Sequence, residues 1–168
     1  MSWGSKRIQG VDYDLTHLDG FDMIVTPQYK DAPSYSVRVG FGAHTFTKAL
    51  EAGDTPDLHF QDGGQTRCFC PLRHSYSMHL PKIIQTSGTA YFGNQGEKYL
   101  LVENLAGLNA PYVVAFKVAQ ANLANVDATM FVVSAHERPG LPKKLPAIGM
   151  GTLVSLTVQG KPIIRPKK

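Results

Sequence analysis

The chain has 168 residues, of which 43% are apolar and 18% charged, so it has the composition of a globular protein and not of a disordered or fibrous one. A chain of this length buries roughly two-thirds of its unfolded surface, so it needs neither disulfides nor a structural metal to fold. No apolar run approaches the ~20 residues of a membrane span and no secretory signal is visible, so we expect no membrane partner.

The net charge of +4 suits a polyanionic partner, and the basic side chains are concentrated at the C-terminal end. Between residues 138 and 168 there is no Asp or Glu, and the ionisable side chains are Arg138, Lys143, Lys144, Lys161, Arg165, Lys167 and Lys168. Two interpretations stay open for this segment. It is either a solubilising tail or a surface that follows a phosphate backbone.

The N-terminal part of the chain carries weak periodicity and several turn formers. We therefore expect residues 1–33 to be an arm or an added hairpin, with a short strand over 21–26 (FDMIVT). Residues 34–168 are expected to form a single domain that ends in the basic segment.

The first long strand is expected over residues 35–47 (YSVRVGFGAHTFT), because apolar and polar side chains alternate there. Residues 48–66 are rich in Gly, Asp and Thr and are expected to form a loop, with a turn at Asp62-Gly63-Gly64.

A helix is expected over residues 71–84, because Pro71 suits a first helical position and the apolar side chains follow helical spacing. The expected buried stripe consists of Leu72, Tyr76, Leu80, Ile83 and Ile84. Pro81 is unfavourable inside a helix, so we expect a kink there, or two short helices meeting at 79–81.

The pattern after residue 87 is one of strands with short connections and no helix between them. We expect strands over 89–93, 99–104, 112–118, 129–135 and 152–158, and a last short one over 163–165. This order is typical of an antiparallel meander. The predicted fold is α+β, with a curved antiparallel sheet of about five to six strands and one kinked helix packed on one face.

Two groups of side chains have the types that cleavage of RNA by its own 2′-hydroxyl requires. That reaction needs one group to take the 2′ proton, another to protonate the departing 5′ oxygen, and cations to hold the phosphate. Histidine suits the proton transfers and arginine the phosphate. One group lies around the helix start and the other where the strongest strand ends in SAHER, residues 134–138.

The sequence therefore predicts a ribonuclease site formed where these two groups converge. The expected catalytic residues are His74, His136, Arg73, Glu137 and Ser134, with the two histidines transferring protons. The expected substrate-binding residues are Arg67, Ser77, Arg138, Lys143 and Lys144. We expect no metal and no other cofactor.

Other interpretations of the same residues stay open. Cys68, Cys70, His74 and His79 are ligand types that zinc accepts, although their spacing is poor for a metal site. Cys70 precedes the expected helix and could act as a nucleophile with His74 as its base. Because a bridge between Cys68 and Cys70 would be strained, reduced thiols and a cytoplasmic location are expected. Strand ends are also often polar simply because they meet water.

Two stretches, TRCFCPLRHSYSMHLPKII and, about fifty residues later, FVVSAHERPG, resemble a bacterial family labelled stationary-phase growth adaptation proteins and found on mobile elements. The resemblance covers roughly residues 35–140. Separately, the order of a helix followed by a meander is similar to that of barnase, colicin and RelE-like ribonucleases, many of which are toxins.

This second similarity implies an endoribonuclease with RNA as substrate and an antitoxin or immunity protein as partner. The competing hypothesis is a non-catalytic module that binds nucleic acid or protein in a stress or phage-defence system. In that case the basic C-terminal segment matters more than the histidines.

Overall fold

The computed structural model describes residues 2–167, which form an α+β fold of twelve strands and three α-helices. The strands are β1 (Ser5–Ile8), β2 (Val11–Asp14), β3 (Phe21–Val25), β4 (Tyr35–Phe41), β5 (Thr47–Ala49), β6 (His59–Asp62), β7 (Gln65–Phe69), β8 (Thr89–Phe92), β9 (Lys98–Val102), β10 (Tyr112–Leu123), β11 (Val126–Glu137) and β12 (Ala147–Gly149). The helices are α1 (Pro71–Ser77), α2 (Leu80–Thr86) and α3 (Met150–Val158). None of these helices is long and apolar enough to cross a membrane.

The main sheet is curled and has seven strands in the order β12-β8-β9-β10-β11-β4-β3. Strands β8 to β11 form the expected antiparallel meander. The prediction of five to six strands, all antiparallel, is wrong, because β4 pairs with β11 in parallel and β3 and β12 add the two edges. The parallel pair places Val37 beside Ala128, about 90 residues away along the chain.

The expected kinked helix is confirmed as a bent pair, with α1 ending at Ser77 and α2 beginning at Leu80. Pro81 lies in the first turn of α2, where its missing N–H deprives no helical carbonyl of a partner. Leu80 and Ile84 are buried, but Leu72 is 59% exposed and takes no part in the expected stripe.

The strand expected over 152–158 is wrong, because these residues belong to α3. Leu153 and Val154 of α3 are buried in the main core. The β-branched, alternating sequence favours a strand locally, and packing against the sheet overrides that preference. The strand expected over 163–165 does not occur within residues 2–167.

Residues 47–69 form a separate three-stranded sheet in the order β5-β7-β6, where a loop was expected over 48–66. The expected turn at Asp62-Gly63-Gly64 is confirmed as the reversal between β6 and β7, because Asp62 pairs with Gln65. Gly63 has a φ of 58°, a conformation that glycine adopts without strain.

The two faces of the main sheet have different surroundings. Its inner face contributes Val114 and Met130 to the main core, which also contains buried residues of α2 and α3. On its outer face Tyr99, Val113 and Ala115 form a smaller cluster, against which Leu141 and Leu145 pack. The N-terminal segment contributes a separate hairpin, β1–β2, and the edge strand β3.

Candidate active site

The candidate site lies around the C-terminal part of β11. Strand β4 runs parallel to β11 and ends opposite Val132, and the 3₁₀ turn Ala43–Thr45 that follows β4 packs against β11. The site consists of five side chains, which we call the rim cluster: His44, Arg67, Arg73, His136 and Arg138.

Two arginines of the rim cluster are held by the same residue of β5. Arg73 of α1 donates from Nη1 to the carbonyl oxygen of Thr47 at 2.6 Å. Arg67 of β7 donates from Nε to Thr47 Oγ1 at 2.7 Å. These bonds bring α1 and the small sheet together and fix both guanidinium groups.

The three arginines of the rim cluster lack an acidic partner. Within residues 2–167 no carboxylate oxygen lies within 4.0 Å of Arg67, Arg73 or Arg138. Burial lowers the pKa of Arg67, the charge of Arg73 adds to this shift, and Asp62 opposes it. Burial also lowers the pKa of Arg73; Cys70 and Tyr112 oppose that shift, and Arg138 adds to it. Arg67 is only 6% exposed. Unpaired cations with so little solvent around them favour the binding of an anion.

His136 is oriented so that one ring nitrogen is free to accept a proton. Its Nδ1 lies 2.8 Å from the carbonyl oxygen of Glu137, which only accepts, so Nδ1 carries the hydrogen and Nε2 is the basic atom of the neutral ring. Burial lowers the pKa of His136, and the charges of Arg73 and Arg138 lower it further. The imidazole is therefore neutral near pH 7.

His44 is a second imidazole near the same guanidinium groups, and the sequence did not single it out. Its Nε2 lies 3.7 Å from Oδ2 of Asp62, and it stands between this carboxylate and the charges of Arg67 and Arg73. Burial lowers the pKa of His44, the two arginines add to this, and Asp62 opposes it. Alternation alone placed this residue within the strand expected over 35–47, but β4 ends at Phe41 and His44 lies in the 3₁₀ turn that follows.

Arg138 lies over the ring of Tyr99, with 5.0 Å between Cζ and the ring centroid, and donates from Nη1 to Tyr99 Oη at 3.1 Å. Arg138 and His136 line a cavity of about 440 Å³, and Leu141 and Leu145 contribute to its apolar lining. Lys143 and Lys144 are exposed on the same loop, so they add positive charge beside the cavity.

Tyr112 of β10 brings an unpaired hydroxyl near this site. The side chain is 1% exposed, and its Oη has no hydrogen-bond partner within residues 2–167. Burial raises the pKa of this phenol, and the charge of Arg73 opposes the rise.

Ser134 and Glu137 lie on opposite faces of β11. Ser134 is half-buried opposite Ala115 and shares the outer face with His136, which lies opposite Val113. Glu137 pairs with Tyr112, and its Oε1 accepts a hydrogen bond from the N–H of Asn109 at 3.1 Å. This carboxylate therefore holds the loop before β10.

His74 and Ser77 contact the N-terminal segment, away from the contacts that define the rim cluster. His74 Nε2 lies 2.8 Å from the carbonyl oxygen of Asp14, and its ring meets those of Tyr13 and His17 edge-on. Ser77 is buried, with Oγ 2.7 Å from His17 Nε2. Successive helical residues point roughly 100° apart, so a helix that directs Arg73 toward β11 directs His74 elsewhere.

The cysteines lie on either side of the junction between β7 and α1. Cys68 is buried, and Cys70 is half-buried immediately before α1, close enough for its charge to influence Arg73. Within residues 2–167 no group of three or more His, Cys, Asp or Glu side chains is arranged as metal ligands would be.

Comparison with known proteins gives one finding. Neither the curated proteins nor the solved structures contain a match to this chain. The model of the YjaZ family matches residues 5–158, which include every residue of the rim cluster. The chain therefore belongs to the YjaZ family.

Proposed function

We propose that the protein is a metal-independent endoribonuclease of toxin-like character, with His136 and His44 as the proton-transfer groups. The observation that carries the proposal is that Arg73 lies close enough to influence the pKa of both His44 and His136. Among residues 2–167, none of the three arginines of the rim cluster has a carboxylate oxygen within 4.0 Å. A phosphodiester supplies the anion that these guanidinium groups lack, and arginine binds phosphate oxygens with two parallel bonds.

The proposed reaction uses the ribose 2′-hydroxyl as nucleophile. Nε2 of His136 accepts the 2′ proton while the 2′ oxygen bonds to phosphorus. The bond from phosphorus to the 5′ oxygen breaks, and protonated His44 gives its proton to that oxygen. The products are a 2′,3′-cyclic phosphate and a free 5′-hydroxyl, so atoms and protons balance.

The electrostatics of the rim cluster support these two roles. His136 is neutral near pH 7, as a base must be. In the free protein burial and the charges of Arg67 and Arg73 lower the pKa of His44, and only the Asp62 carboxylate opposes this, so the acid role requires bound substrate. A bound phosphate offsets the charges of Arg67 and Arg73, so it raises the pKa of His44 when substrate is present.

The proposal is tested by incubating purified protein with total RNA in excess EDTA. We expect cleavage with cyclic phosphate ends, and we expect His136→Ala and His44→Ala each to lower the rate by at least about 100-fold. His79→Ala is the matched control, because His79 is an exposed imidazole outside the rim cluster. Intact RNA with the wild-type protein contradicts the proposal.

A non-catalytic binding module is the second candidate, and the basic segment that begins at Arg138 is the observation that favours it. If the protein retains RNA on a filter in a salt-sensitive manner without cleaving it, this candidate replaces the enzyme. The toxin proposal also includes an antitoxin or immunity partner, a role in stationary phase and a cytoplasmic location. Growth arrest on induced expression, relieved by His136→Ala, supports that part.

A further inference from the structure

An aromatic cavity of about 380 Å³ adjoins the rim cluster on the His44 side. Its apolar lining includes Trp3, Phe60 and Phe131, which come from the N-terminal segment, the small sheet and β11. His44 and Asp62 also line this cavity, and His44 belongs to the rim cluster, so the cavity is contiguous with the proposed catalytic site. We call this space the aromatic cavity.

Phe131 is the most accessible of the large side chains in this cavity. It lies on β11 at the position paired with Gly40, and it is 50% exposed although its neighbour Val132 is buried. A Cβ added at Gly42 would lie 3.1 Å from Phe131 Cζ, so the ring rests against bare backbone there. The absence of side chains at Gly40 and Gly42 thus allows the Phe131 ring to pack directly against the backbone of this segment, next to His44.

An exposed aromatic ring in a cavity that shares His44 with the rim cluster supplies, together with the arginines of that cluster, the two elements of a single-strand binding surface. The cations hold the phosphates, and the ring stacks on a base regardless of its identity. Asp62 also lines the cavity, and its carboxylate oxygens can accept hydrogen bonds from the amino group of a base. Asp62 lies 3.7 Å from Nε2 of His44, and its charge raises the pKa of Arg67, but among residues 2–167 it is not within 4.0 Å of any arginine of the rim cluster.

We infer that the aromatic cavity binds one unstacked base of single-stranded RNA next to the phosphate held by the rim cluster. The inference rests on the proposed function and adds its substrate class. A base inside a duplex is stacked on both faces and cannot enter such a cavity, so paired RNA is a poor substrate.

The chain contains one tryptophan, Trp3, and its place in the aromatic cavity makes it a reporter. A short single strand with 2′-O-methyl riboses binds without being cleaved, because the attacking hydroxyl is blocked. We expect this strand to quench the Trp3 fluorescence, and we expect the same strand annealed to its complement to bind at least about tenfold more weakly.

The decisive variant is Phe131→Ala, whose matched control is Leu123→Ala, since both side chains are 50% exposed on the β10–β11 hairpin. We expect Phe131→Ala to weaken binding of the single strand by about tenfold or more at every salt concentration, because it removes stacking and no charge. Leu123→Ala is expected to bind as the wild-type protein does.

The outcomes separate this inference from the proposed function. If the wild-type protein cleaves RNA but Phe131→Ala binds and cleaves single strands normally, the base does not occupy the aromatic cavity and only the inference is overturned. If Phe131→Ala weakens binding but the wild-type protein leaves RNA intact, the cavity binds a base and the catalytic proposal is wrong. Equal affinity for the single strand and the duplex also overturns the inference.

Discussion

The unpaired hydroxyl of Tyr112 predicts that Tyr112→Phe stabilises the protein. The substitution keeps the buried ring and its packing against Tyr76, whose ring centroid is 6.0 Å away, and removes only an oxygen that has no partner within residues 2–167. An unsatisfied polar group in the interior costs about 1–3 kcal/mol. We therefore expect the free energy of unfolding to rise by about 1 kcal/mol, which corresponds to roughly 2–4 °C in melting temperature for a chain of this size.

The measurement is urea unfolding followed by circular dichroism, with Tyr35→Phe as the control. Tyr35 is also a buried tyrosine of the main sheet, but its Oη lies 3.2 Å from Ser155 Oγ. Losing that hydrogen bond lowers the free energy of unfolding by about 0.5–1.5 kcal/mol. If Tyr112→Phe destabilises the protein as much as Tyr35→Phe does, the Tyr112 hydroxyl has a partner after all, and the reasoning is refuted.

Two further predictions concern acid and thiol chemistry. Burial lowers the pKa values of His17, His44 and His136 below the unfolded value of about 6.5, so the unfolded chain binds more protons in acid. The free energy of unfolding, measured by urea titration, should therefore decrease as the pH is lowered from about 7.5 to 5.5, and it should decrease less steeply in His136→Gln. The same pH dependence in the variant and the wild-type protein would count against a neutral, buried His136. Cys68 is buried, which raises the pKa of its thiol, whereas Cys70 is half-buried. A thiol reagent should therefore label only Cys70 rapidly in the native protein and should label both cysteines in denaturant. Fast labelling that persists in Cys70→Ser would contradict this assignment.

The parts of the fold that sequence patterns predicted are those governed by local physics. Apolar runs joined by short connections identified the meander of β8 to β11, and the unfavourable position of Pro81 identified the break between α1 and α2. Helix α3 was predicted as a strand, because its valines and threonines have a local preference for strands. Burial of one side of the helix in the main core outweighs that preference. The short strands β5 and β6 were missed, because three or four partly polar residues carry too little periodicity.

The candidate site was predicted in part. The sequence selected both Arg73 and His136 as site residues. The fold brings Arg73 close enough to His136 for its charge to lower the pKa of that imidazole. It could not separate Arg73 from His74, since neighbouring residues of a helix differ only in direction and the direction follows from packing. It also did not select His44 as a site residue, because the place of His44 in the rim cluster depends on the pairing of β4 with a strand about 90 residues away.

The parallel pairing of β4 with β11 has a consequence for biosynthesis. Closing a loop of about 90 residues is entropically slow, and the partner strand of β4 leaves the ribosome only after most of the chain has been made. His44 follows β4 and His136 lies on β11, so their relative position is set only when this pairing is complete. A nascent or truncated chain that stops before residue 126 lacks both His136 and β11, the strand that pairs with β4 and so positions His44. The rim cluster can therefore form only after most of the chain has been translated.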